Sequence, residues 1–249
     1  MLECSASKIS RIETARVTAA PRDVRDLLRI YGVPEDQHES LLQLARESRQ
    51  KGWWHAYGDS VLPHFATYLG MESAASEIKH VNLTRIPVLL QTEDYAREVI
   101  AAGRMRRSLD EHDRSVDLIK ERQRLAAANP PDVWVVLDEA ALRRQVGGRA
   151  VMRKQIEHLI ELSVVPGLFL QFIPFSAGAH VAMDLPFVIM GFPDPADPDV
   201  VCTGYPTGVL WIEDMAEVHK YNMFFHHLQA SALSLDESIE LMTSVLKEM

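Results

Sequence analysis

Cysteine is scarce in this chain, with two in 249 residues, and Cys4 and Cys202 match neither a zinc spacing nor a disulfide framework. That scarcity fits a reducing compartment. No apolar run is long enough to cross a bilayer, and Met1-Leu-Glu-Cys-Ser lacks the basic stretch and apolar core of a signal peptide. The expectation is a cytoplasmic protein with no membrane partner. Also missing are a Gly-rich phosphate loop, a nucleophile elbow, an internal repeat and a low-complexity segment. His219, His226 and His227 do not have the i, i+4 spacing of a metal-clamping pair, so neither a metal nor a cofactor is expected.

What is present is ordinary globular material, 47% hydrophobic and 24% charged. The net charge of −9 is uneven. Residues 1–30 hold six basic side chains against four acidic ones, whereas residues 186–249 hold ten acidic against two basic. The head is mildly basic, and the last quarter carries a single-sign field suited to a protein partner. Met223, Phe224 and Phe225 are candidate anchors there; the rival reading, core, fits Phe225 best.

Periodicity predicts helices over 23–31, with Val24, Leu27, Leu28 and Tyr31 on its stripe, and over 35–49. Gly52-Trp53-Trp54 breaks the pattern, placing a domain boundary between residues 52 and 53. Further helices are expected after Thr92, over 111–128, after Asp138, around Met152–Ile160, and after the capping box Ser234-Leu-Asp-Glu237. Val133–Leu137 reads as a buried strand. Leu168–Ile173, Pro186–Phe192, Val200–Thr203 and Val209–Ile212 are short strand-like runs separated by turn residues, which reads as an antiparallel meander. The fold class is therefore α+β: a helical head over 1–52, then a helix-rich body over 53–249 with a small antiparallel sheet.

The string Ser5-Ala-Ser-Lys-Ile-Ser-Arg-Ile-Glu-Thr-Ala-Arg16 closely resembles the recognition helix of lambda-repressor-like (XRE-type) helix-turn-helix regulators, and the helices after it match the end of that domain. The resemblance implies that Ile9 and Ile12 face a core and that Ala6, Ser7, Lys8, Ser10 and Arg11 face the major groove, with Arg16 on a phosphate. The family's usual Gly is replaced by Ala15. The helices that precede a recognition helix are absent from the sequence, so duplex DNA is an expected but weak partner, with binding impaired or lost.

From Trp53 onward the chain resembles the uncharacterised regulatory domain that follows this head in many bacterial regulators. The strings are Pro87-Val-Leu-Leu-Gln-Thr-Glu-Asp-Tyr95, Asp138-Glu-Ala-Ala-Leu-Arg-Arg-Gln-Val-Gly147, Pro174-Phe-Ser-Ala-Gly-Ala-His180 and Ala232-Leu-Ser-Leu-Asp-Glu-Ser238. This implies a regulator, expected here as a homodimer, that senses an unknown small molecule or a small partner protein. Val88 replaces the family's usual Gly, and Cys202-Thr-Gly-Tyr205 stands where a Tyr-x-Glu string is common.

Gln91, Arg143, His180 and Asp184 are the candidate ligand-binding residues, polar groups beside apolar runs. His180 reads more readily as a satisfied structural histidine, and Arg143 as a solvated helix face. Arg104, Arg106, Arg107, Arg122 and Arg124 form a basic cluster, but acidic neighbours make a solvated mixed face the better reading. Two other classes stay open: a headless interaction protein that titrates a partner, and a biosynthetic enzyme converted from the sensor, with His180, Asp184, Asp138 and Glu139 as acid–base candidates.

Overall fold

A computed structural model describes residues 6–14, 17, 19–47, 52–61, 63–103, 108–183, 186–205 and 208–249. The chain divides into two units, residues 1–56 and 57–249. The first unit holds helices α1 (Ala6–Glu13), α2 (Pro21–Ile30) and α3 (His38–Glu47). Pro21 opens α2, where a missing N–H costs nothing. Gly32 closes the helix in the left-handed region (φ 68°), and the Val33 amide donates back to the Leu28 carbonyl at 3.0 Å. Leu27, Leu28, Leu42 and Ala45 are buried. Tyr31, expected on the same stripe, is exposed instead, and its hydroxyl donates to Glu13. A polar tip lets its ring stay at the surface.

The second unit runs α4 (Pro63–Ala74), β1 (Glu77–Asn82), a 3-10 turn at Val88–Leu90, α5 (Glu93–Ala101), α6 (Leu109–Ala128), β2 (Asp132–Asp138), α7 (Ala140–Arg143), α8 (Arg149–Leu162), β3 (Leu168–Ile173), β4 (Phe187–Gly191), β5 (Val200–Tyr205), β6 (Gly208–Ile212), α9 (Met215–Ser231) and α10 (Leu235–Glu248). The protein is α+β, a helical head followed by a helix-rich, sheet-containing body. The strands make one six-stranded sheet in the order β3-β2-β1-β4-β5-β6.

Half of that sheet is the expected antiparallel meander, β4-β5-β6. The other half is parallel: β1 pairs with β2, and β2 with β3. Leu168–Ile173 therefore leaves the meander for the opposite edge. The reason is connectivity. Parallel neighbours need long crossovers, and the α5–α6 and α7–α8 segments supply them. Strand β1 was not expected at all, because Lys79 and His80 interrupt its apolar alternation. It is nevertheless an inner strand, parallel to β2 and antiparallel to β4.

The helix starts are well capped. Thr92 Oγ1 accepts from the Tyr95 amide at 3.3 Å, and Ser108–Glu111 and Ser234–Glu237 form reciprocal capping boxes. Between α7 and α8, Gly147 sits at φ 66°, and a Cβ there would lie 2.5 Å from Glu98 Cγ, so any side chain would be both strained and crowded.

Both sheet faces are covered. On one, Val133, Val135, Leu137, Leu170 and Phe172 pack beneath helices that include α8 and α10, and Ile78, Met190 and Cys202 continue that face across β1, β4 and β5. On the other, Val81, Val136, Ile189 and Val201 pack against α9 through Val218, Phe225 and Leu228. Phe225 is thus core rather than a contact anchor, Phe224 is half-buried, and Met223 is exposed.

Ile78 is fully buried on β1. Ile78→Ala is expected to lower the unfolding free energy by about 2–5 kcal/mol in denaturant titrations, as truncation in a packed core does. A change near zero would mean that β1 is not the inner strand described.

Candidate functional site

The sheet's connectivity reverses at β1. The chain leaves the carboxyl end of β1 by the crossover to β2 on one side, while β4 lies on the other. In sheets with parallel strands, ligands bind in a crevice beyond the carboxyl ends of those strands, and β1 is one of them. Here that crevice is a cavity of about 560 Å³, lined by the end of β1, by β4–β6, by the 3-10 turn and by α4, α5 and α6. Its volume is in the range of small-molecule sites.

One wall carries Arg122, which is held from behind in a buried ion pair. Arg122 on α6 donates from Nε and Nη2 to the two carboxylate oxygens of Glu72 on α4, at 2.8 and 2.7 Å. The side chains are only 5% and 7% exposed, and the guanidinium carbon lies 5.4 Å from the ring centres of both Phe65 and Tyr68. Burial works against the Arg122 charge, but the Glu72 carboxylate outweighs it and the guanidinium is held above its ordinary value. Arg122 is therefore not on a solvated mixed face. It shares a stripe of α6 with buried Ser115 and Leu118, three and seven residues on from Ser115. Arg124 is exposed and pairs with Glu121, while Arg104, Arg106 and Arg107 lie outside the described residues.

Among the described residues, two polar atoms of the cavity lining have no partner. Gln91, just 3% exposed, donates from Nε2 to the Ile86 carbonyl at 2.7 Å, and its Oε1 accepts no hydrogen bond. His80 on β1 is 8% exposed, and its Nε2 has no partner either. Burial drives the imidazole from its ordinary 6.5 down to about 4; Glu72 opposes the shift, and Arg122 and Arg85 reinforce it. His80 is neutral at pH 7. Gln123 on α6 steadies this wall by donating from Nε2 to the carbonyls of Val88 and Gln91, both at 2.8 Å. Cys202, on the floor, has its thiol pushed up to about 12 by burial and then by Glu72, which makes it a poor nucleophile.

The other sequence candidates lie elsewhere. At the end of β2, Asp138 Oδ1 accepts from the Ala140 amide at 2.7 Å, and His180 Nε2 stands 3.3 Å from Asp138 Oδ2. The His180 side chain is 5% exposed, with Nδ1 unpartnered. Glu139 accepts from Arg143 at 2.8 Å and from the Phe175 amide at 2.9 Å, and Arg143 also donates to Glu248. Gln91 thus lines the cavity, and Arg143 and His180 do not. Asp184 lies outside the described residues. In the head, Ser7, Ser10 and Arg11 are exposed on α1, which also carries Ala6. Lys8 instead donates to buried Asp23 at 2.7 Å, and this bond holds the Asp23 carboxyl below its ordinary value. Arg16 lies outside the described residues.

Residues 65–244 match the family model described as a domain of unknown function, DUF5753. The chain belongs to that family. The cavity lies wholly within the matched DUF5753 region. Residues 1–41 match a helix-turn-helix domain, a DNA-binding type of module that here contains α1, α2 and the start of α3. No curated protein matches the chain. Among the described residues no helix is long and apolar enough to cross a membrane, and no cluster of His, Cys, Asp and Glu could hold a metal ion.

Reading the sequence missed His80, Arg122, Cys202 and Tyr68 as lining residues. The usable signals were an Arg on the apolar stripe of α6 and the period-two placing of Ile78, His80 and Asn82 on β1.

The depressed His80 value fixes the sign of a pH effect. The unfolded chain takes up a proton near pH 6.5 and the folded one only near pH 4, so acidification through that window destabilises the fold. The His80 share is about 3 kcal/mol between pH 7 and pH 4. Urea unfolding of His80→Leu at both pH values should show a smaller acid loss than the parent chain. An equal loss in both would place the ring in water.

Proposed function

We propose that this protein is an XRE-type transcriptional regulator, acting as a homodimer, whose DUF5753 body senses a small molecule in the cavity at the end of β1. The observation that carries the reading is the pair of buried, unpartnered atoms, Gln91 Oε1 and His80 Nε2, on two residues that line one cavity in a chain that also has a helix-turn-helix match. Buried polar groups are almost always hydrogen-bonded, so two in one cavity support a missing occupant. Exposed Ser7, Ser10 and Arg11 supply short polar groups and one long cation, suited to base edges in a major groove. Helix-turn-helix readers commonly work as dimers on paired half-sites, which supports the homodimer.

Duplex affinity in this reading is weak and salt-sensitive. Residues 1–30 hold six basic side chains against four acidic ones, and Lys8 is committed to Asp23, so few cations are left for phosphates.

Enrichment of a random duplex library on the full chain at low salt tests the DNA side. A shared motif should emerge, and Arg11→Ala should cost about 1–3 kcal/mol on that motif while leaving binding to unrelated duplex nearly unchanged. No enrichment, or equal losses on every duplex, would contradict the reading.

A further inference from the structure

Gln91 sets the polarity of the cavity. Its Nε2 group is spent on the Ile86 carbonyl at 2.7 Å, and a carbonyl can only accept, so the amide cannot turn over without putting two acceptors face to face. Its backbone is held as well, since the Gln91 amide donates to Val88 O at 3.2 Å and Gln91 O accepts from Gln123. A fixed acceptor, Oε1, is therefore held out of water with nothing donating to it. His80 Nε2 is the second unpartnered atom, on a neutral ring that can donate or accept according to its tautomer.

The buried charge at the cavity is already compensated. Arg122 gives Nε–H and one Nη2–H to Glu72, whose carboxylate compensates its charge, so its net pull on an incoming anion is reduced. Arg85 lines the cavity but is exposed, where water and salt weaken its pull. Among the described residues no aspartate or glutamate lines the cavity, so a cation has no counter-charge there. An anion inside would set its lone pairs against those of Gln91 Oε1. The rest of the wall mixes apolar side chains, Val88, Leu89, Val99, Ile100, Leu118 and Ile119, with polar ones, of which Ser115 and Thr203 spend their hydroxyl protons on backbone carbonyls.

We infer that the cavity takes a neutral, largely apolar molecule with at least one N–H or O–H donor, which Gln91 Oε1 accepts, and that it excludes charged ligands. This rests on the sensor reading of the same cavity and adds the chemical class of its occupant.

Three naphthalenes of nearly equal size separate the possibilities: 2-naphthol as a neutral donor, 2-methoxynaphthalene with the donor methylated, and 2-naphthoate as an anion. Titration calorimetry of the full chain at neutral pH should give 2-naphthol roughly tenfold tighter binding than the methyl ether, the effect of pairing one buried acceptor. The naphthoate should bind no tighter than the ether. In Gln91→Leu, 2-naphthol should fall to the affinity of the ether while the ether is unchanged. If that variant does not fold, the three ligands on the parent chain decide the matter alone. Naphthoate binding as tightly as naphthol, an ether matching naphthol, or a folded Gln91→Leu with unchanged naphthol affinity would overturn the class and leave the sensor cavity standing. Binding of none of the three would overturn both.

Discussion

Arg122 and Glu72 fasten α6 to α4 with both charges out of water, and the cavity depends on where they hold those helices. Such a pair is a weak source of net stability, because desolvating two ions offsets most of their attraction, while removing one partner typically costs about 3–5 kcal/mol. Its effect is positional. The bidentate contact at 2.7 and 2.8 Å sets the guanidinium between Phe65 and Tyr68, and Gln123, one residue further along α6, holds the 3-10 turn that carries Gln91. The same helix thus places the compensated charge and the uncompensated acceptor. With Arg122 neutralised by Glu72, Gln91 Oε1 and His80 Nε2 remain as the unsatisfied chemistry of the site.

Much of the fold was legible locally. Thr92 and Ser234 cap the helices they precede, because side-chain oxygens on orphan amides are a short-range interaction that sequence spacing records. The pairing of strands is not recorded that way. Leu168–Ile173 looks like any meander strand, and only the crossover through α7 and α8 sends it to lie parallel to β2. Strand β1 was illegible because the two polar residues in its middle serve tertiary contacts: Lys79 reaches Asn222 on α9 at 3.2 Å, and His80 lines the cavity on the other side. A central strand that breaks its apolar pattern is what a functional site does to local rules. Gln91 was legible as a polar group between an apolar run and a helix cap. Arg122 was not, since the surrounding charges suggested solvent while its face of α6 is buried.

The end of β2 differs, in that its carboxylates are satisfied and, among the described residues, His180 Nδ1 is left as the unpartnered atom there. Asp138, Glu139, Arg143 and His180 are drawn together, but the carboxylates are occupied by the Ala140 and Phe175 amides, Arg143 and the imidazole. That cluster ties the segment after β3 to the start of α7. The cavity at β1, with vacant hydrogen-bonding capacity and a compensated charge, is where an occupant gains most.

Native mass spectrometry of the full chain after exposure to an organic extract of the cells that express it tests the cavity's role most directly. The expected spectrum shows the chain with one uncharged small molecule bound, and a diminished adduct in Ile119→Trp, whose indole narrows the cavity from α6. A spectrum of the bare chain alone, or an adduct kept undiminished in a folded Ile119→Trp, would contradict a sensing cavity at the end of β1.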